Sequence, residues 1–151
     1  MRITSSSEYA MRIMVRLARA SVLHTLTAKE LSEGENIPRD YVDQILMRLR
    51  RAGLVTSHRG AGGGYGLASD PSKVFVADSI LAVEGQIFED VCEKYSGGNS
   101  ACGHQGGCSI GSVWSKLGLL VEDYLKKVPL SQLLGPEPKL APMLVSNKTN
   151  S

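Results

Sequence analysis

All three cysteines of this 151-residue chain fall in one stretch, residues 92–108, CEKYSGGNSACGHQGGC. The spacing is C-x9-C-x5-C through Cys92, Cys102 and Cys108, with His104 inside the loop. Thiolates are soft ligands that suit zinc and iron–sulfur cores. Structural zinc sites use pairs of cysteines two to four residues apart, and neither interval here matches. A zinc site that added His104 would be strained, because Cys102 and His104 stand only two apart. A 2Fe–2S core is wider than one zinc ion and accepts looser spacing. Gly97, Gly98, Gly103, Gly106 and Gly107 let the backbone bend around such a core and aim N–H groups at its sulfurs. Such hydrogen bonds tune a cluster's potential. Iron–sulfur coordination fits the loop best, with zinc and free thiols as the alternatives.

An odd cysteine count speaks against a disulfide framework. The N-terminal MRITSSSEYAMRIM lacks the apolar run of a secretion signal. No segment approaches the roughly 20 apolar residues of a membrane span. The expected location is the cytoplasm, with reduced thiols. The net charge is only +2, but it is unevenly spread. Residues 1–73 hold 11 Lys/Arg against 7 Asp/Glu, and residues 74–151 hold 6 against 8. All nine arginines lie at or before Arg59. The planar guanidinium fork matches phosphate and guanine edges, so the first half is the expected nucleic-acid face.

The elements that position the loop follow from spacing and capping signals. Ser5-x-x-Glu8 reads as a capping box, followed by the apolar face Tyr9, Ala10, Ile13, Met14 and Leu17. Thr27-x-x-Glu30 reads as a second capping box, with Gly34 as a left-handed stop. Pro38 suits the first turn of a third helix, whose apolar side is Val42, Ile45, Leu46 and Leu49, and Gly53 closes it. Two short strands, LVTSHR (54–59) and YGLA (65–68), flank the turn GAGGG. A helix–turn–helix followed by such a hairpin reads as a winged helix with a mobile tip. VFVADSILAVEG reads as a short strand leading into a helix that ends near Gly85. After the cysteine loop, Ile110 to Lys127 form a long helix with Val113, Leu117, Leu120, Val121 and Tyr124 on one face. Trp114 and Leu125 widen that stripe beyond what one small domain needs, which predicts pairing with a second copy. From Gly135 onward a polar, proline-bearing tail is expected to be disordered.

The glycine run does not make a phosphate loop. No Lys follows it, and G-x-G-x-x-G fails from Gly60, where Tyr65 holds the last place, and from Gly62, where Leu67 does. No nucleophile–base pair or paired carboxylates stand out, so no enzyme is expected.

Three stretches together are specific: MRITSSSEYAMRIM, then IPRDYVDQILMRLRRAGLVTSHRGAGGGYGLA, then the three-cysteine loop followed by a long helix. In this order they resemble the IscR/NsrR-type winged helix–turn–helix regulators, the bacterial Rrf-two family, over residues 1–134. The resemblance implies a mainly α fold with a small β wing. It implies a homodimeric regulator that binds double-stranded promoter DNA. An iron–sulfur cluster, 2Fe–2S or 4Fe–4S and by IscR-like company 2Fe–2S, would sense iron–sulfur status. Nitric oxide, iron or thiol redox sensing are alternatives within the class, and a small electron-transfer protein is one outside it.

By position, Cys92, Cys102 and Cys108 match the family's cluster cysteines. The first interval is longer than in IscR-like members, and Gly111 stands where they carry a ligating histidine. The resemblance offers Glu8 as the fourth ligand, given by a partner subunit's first helix, with His104 as the other candidate. For DNA, Arg39, Tyr41, Asp43, Gln44 and Arg48 on the third helix and Arg59 at the wing are the expected contacts. Gln44 suits adenine, Asp43 suits cytosine N4, and Arg59 suits the minor groove, while Arg50 and Arg51 suit phosphate. The expected organisation is a DNA-binding domain (1–84), a cluster loop (85–109), a dimerisation helix with a short terminal helix (110–134), and a tail (135–151).

Overall fold

The computed structural model describes residues 3–20, 24–88 and 108–135. Its helices are α1 (Ser5–Arg19), α2 (Ala28–Glu35), α3 (Arg39–Arg51), α4 (Val76–Glu84) and α5 (Ser109–Leu125). Strands β1 (Val55–His58) and β2 (Gly64–Leu67) pair antiparallel, Val55 opposite Leu67 and His58 opposite Gly64. Leu26 adds a third, one-residue rung by exchanging backbone bonds with Tyr65 at 3.0 and 2.8 Å. The fold is mainly helical with a small wing, as the spacing predicts.

One apolar core joins the elements. Ala10, Ile13, Met14 and Leu17 of α1 meet Leu31 of α2, and Val42, Ile45, Leu46 and Leu49 of α3. Val55, Val74, Val83 and Leu130 close the cluster. All are side chains of the aliphatic kind that a sequence with two Phe and one Trp must use. Leu130 opens a 3-10 turn, Leu130–Leu133, that returns the chain to the core. There, Leu130 N–H donates to Val74 O at 2.7 Å and Val76 N–H to Val128 O at 2.9 Å.

The helix ends show which capping signals operate. Thr27 and Glu30 form the expected reciprocal box. Gly53, at φ +74°, ends α3. Its N–H reaches Arg50 O, and Leu54 N–H reaches Leu49 O, both at 3.0 Å, which is the Schellman pattern. Three expectations are corrected. The short strand before α4 reduces to a single bridge, Phe75 opposite Pro129. The Ser5–Glu8 box does not form: Thr4 is the N-cap and accepts from Ser7 N–H at 3.1 Å. Glu84 of α4 selects Thr4 by accepting from its hydroxyl and, at 3.2 Å, from that of Ser7. Gly34 is helical, and Asn36 takes the left-handed stop at φ 52°. Gly34 is small for another reason, since a Cβ there would stand 2.8 Å from an Arg16 guanidinium nitrogen.

Helix α5 begins one residue before the expected start and stands apart from the core. Its one buried residue is Gly118, against the Phe88 ring. Ile110, Val113, Leu119 and Leu120 are each at least 60% exposed. The expected tail beyond Gly135 lies outside the described residues.

Candidate nucleic-acid interface and cysteine site

Helix α3 rotates about 100° per residue. Buried Val42, Ile45, Leu46 and Leu49 define its inward side. Opposite them, Asp40, Gln44, Met47 and Arg51 follow one another at spacings of four, three and four, and all are exposed. Asp43 and Arg50 flank this ridge toward the wing, and Tyr41 and Arg48 flank it on the other side. A groove between α3 and β2 is lined by Asp43, Met47, Arg50, Arg51 and Tyr65. A polar, solvent-facing ridge flanked by arginines beside a hairpin is the shape that enters a major groove.

The expected contacts fall into three groups. Gln44 and Arg59 are exposed, Arg59 at the mouth of the wing turn. That turn is closed rather than loose: Gly63 N–H donates to Gly60 O at 2.9 Å, and the Thr25 hydroxyl to Gly62 O at 2.9 Å. Arg39 and Asp43 pair with each other, Nε to Oδ2 at 3.0 Å, one turn apart. Both are half exposed, so the pair is weak and open to exchange with DNA. Tyr41 and Arg48 are engaged with the protein. The Tyr41 ring meets the Tyr9 ring edge-on at 5.9 Å. Arg48 Nη1 donates to Val83 O at 2.7 Å. Met47, 48% exposed, is a groove residue absent from the expected set. Its helical spacing already places it on the side opposite Val42, Ile45, Leu46 and Leu49, but a thioether carries no hydrogen-bonding signal for a base contact.

The helix–turn–helix is braced from α1. Arg12 donates to Glu35 Oε2 at 3.3 Å and to Glu35 O at 2.9 Å, and Arg16 reaches Glu35 Oε1 at 3.7 Å. Cations at the carboxyl end of α2 complement its dipole and hold the turn that leads to α3.

Cys108 is the described member of the cysteine set. It is half-buried and is the N-cap of α5, where its Sγ accepts from Gly111 N–H at 3.4 Å. Gly111, which has no ligating side chain, thus supplies a backbone donor to the sulfur. Cys92, Cys102 and His104 lie outside the described residues. Among the described residues no group of three or more His, Cys, Asp and Glu gathers as a metal site. The Glu8 carboxylate is exposed, and with the capping box unformed it has no partner among the described residues. A capped thiol and a free carboxylate suit an iron–sulfur core as donors.

This fold and ridge define a winged helix–turn–helix DNA-binding protein. The chain belongs to the Rrf2 family of iron-dependent transcriptional regulators, whose sequence model matches residues 3–136. It is similar to the transcriptional regulator IscR of Xenorhabdus nematophila, 35% identical over 136 residues, 89% of this chain and 79% of that one. Among solved structures it is similar to CymR, the global cysteine regulator of B. subtilis, with a TM-score of 0.75 and 27% identity. That match covers 89% of this chain and 96% of CymR. The fold also matches IscR of T. potens, with a TM-score of 0.72 at 24% identity over 100% of this chain and 94% of that one. The family and its relatives are transcription regulators, not enzymes, which removes the electron carrier as a reading. Among the described residues no helix is long and apolar enough to cross a membrane.

Proposed function

We propose that this chain is a homodimeric, cytoplasmic transcription regulator whose promoter binding is switched by an iron–sulfur cluster, 2Fe–2S, that reports iron–sulfur status. The observation that carries this reading is the place of Cys108. The cysteine segment leaves the end of α4 at Gly85 and returns at Cys108, the cap of α5. The thiols therefore join the DNA-reading body (1–84) to the apolar helix (110–134), with the 85–109 loop between them.

Cys92, Cys102 and Cys108 would hold the core, with Glu8 of a second copy as the fourth ligand and His104 as the other candidate. Bound there, the cluster would supply a redox- and iron-sensitive link between thiols. Cys108 anchors its end of the loop through the Gly111 N–H. Glu8 lies in the turn after the Thr4 cap, and its neighbour Tyr9 touches Tyr41 of the reading helix. A pull on Glu8 is thus passed to α3 through two rings. Helix α5 offers its exposed apolar stripe to its copy, which supports a dimer that presents two α3 helices to successive major grooves. Gln44 and Asp43 would read bases, with Arg39 released from Asp43 to phosphate and Arg59 placed in the minor groove.

Likeness to CymR supports a second reading, in which the same thiols respond to oxidant without a cluster. Anaerobic purification separates the two. Brown protein with iron and acid-labile sulfide, and apo and holo forms that differ in salt-sensitive binding to its own promoter, support the first. Colourless, iron-free protein after reconstitution, with oxidant-sensitive DNA binding, supports the second.

A further inference from the structure

We infer that Met47 reads the C5-methyl group of a thymine in the major groove. The inference rests on α3 being the reading helix and adds a specificity residue to it. Met47 lies on the outward ridge between Gln44 and Arg51, and it is the apolar member of a groove otherwise lined by Asp43, Arg50, Arg51 and Tyr65. The residue is 48% exposed and lies outside the buried core.

A thioether is a poor hydrogen-bond acceptor and no donor. It cannot read the carbonyl, amino or N7 edges that the bases present. The one apolar group in the major groove is the thymine methyl. The Met side chain is unbranched and has three rotatable bonds, so it adapts to a methyl whose position shifts with local twist. Arg50 and Arg51 flank it with positive charge, which suits the phosphates on either side and fixes the depth at which Met47 meets the bases. Gln44, three residues before it on the same ridge, is shaped for adenine. A glutamine and a methionine side by side thus suit an A·T-containing step.

The test uses the full-length dimer on duplexes from its own promoter, chosen by footprinting. Each thymine in the footprint is replaced in turn by deoxyuridine, which removes only the methyl. The expected result is one thymine per half-site where wild-type affinity falls about fourfold, the worth of one buried methyl group. Met47→Ala should bind thymine and deoxyuridine equally at that position, and Met47→Leu should keep the discrimination. Thermal melting checks that each variant folds, as an exposed position should allow. Equal wild-type binding to every deoxyuridine duplex overturns the inference while leaving α3 as the reading helix. So does a Met47→Ala protein that still discriminates. If the wild-type protein footprints no duplex at all, the reading-helix assignment itself fails and this one with it.

Discussion

Arg48 and Val83 are joined by a hydrogen bond, Nη1 to carbonyl oxygen at 2.7 Å, that ties α3 to the last turn of α4. The carbonyls of a last turn have no partner within their own helix, and a cation there complements the dipole. This bond holds Arg48 against the protein, so its expected role is to position α3 rather than to touch phosphate. A residue that touches phosphate lowers the salt dependence of binding by about 0.9 in the log–log slope when removed. Arg48→Ala is expected to weaken all sequences alike with the slope unchanged, whereas Arg51→Ala should lower the slope. Fluorescence anisotropy at several salt concentrations measures both. A shallower slope for Arg48→Ala would make it a phosphate contact after all.

The N-cap of α1 is Thr4, not Ser5. Thr4→Ala should cost about 1 kcal/mol in urea denaturation. Ser5→Ala, at the first helical position, should stay within about 0.5 kcal/mol of wild type. The reverse ranking would restore the Ser5–Glu8 box.

Acid should weaken the amino end of α2. The Glu30 carboxylate accepts from Thr27 N–H at 2.7 Å and from its hydroxyl at 2.8 Å. These bonds, the backbone one first, hold its pKa below the ordinary glutamate value. The hydroxyl and N–H of Ser72 lower Asp70 in the same sense. A depressed folded pKa contributes stability above the unfolded value, and that contribution is lost as pH falls through the folded one. The urea midpoint should therefore drop on acidification below the ordinary carboxylate range. In Glu30→Gln that drop should be smaller, because an amide keeps the box without titrating.

Glu8 offers a direct test of the fourth ligand. Reconstituted Glu8→Ala should lose iron or change its visible absorption, while its thermal midpoint stays near that of the wild type because the carboxylate caps nothing. An unchanged spectrum would transfer the role to His104, which His104→Ala would then reveal.

The apolar stripe of α5 predicts the oligomeric state. Leu120 is 61% exposed and Val113 60%. Leu120→Glu should convert a dimer to a monomer in sedimentation without lowering the thermal midpoint of the core that Leu130 closes. A wild-type monomer at micromolar concentration would refute the pairing.

Much of this architecture was legible in the residues. Helices α1 and α3 show one apolar face at helical spacing, and Thr27, Glu30 and Gly53 mark ends through purely local bonds. Strands 54–59 and 65–68 were bounded by glycines. The misreadings all have tertiary causes. Thr4 and Ser5 are equally competent caps, and Glu84, 80 residues away, chooses between them. Gly34 is small because Arg16 of another helix packs on it, so its left-handed role passed to Asn36. Arg48 has a partner on α4 that no helical wheel displays. The cysteine pattern pointed to a chemistry, but its spacing alone leaves the metal and the fourth donor open.

Helix α5 meets the ring of Phe88 at Gly118, where a Cβ would come within 2.6 Å of the ring. Phe88 precedes Cys92 by four residues. That ring thus lies between α5 and the end of α4 at Gly85, which Arg48 ties to α3. In the switch proposed above, a pull at the first thiol would act beside this contact, so a bulkier residue at 118 would shift the Phe88 ring and block the switch without altering any proposed ligand or base contact.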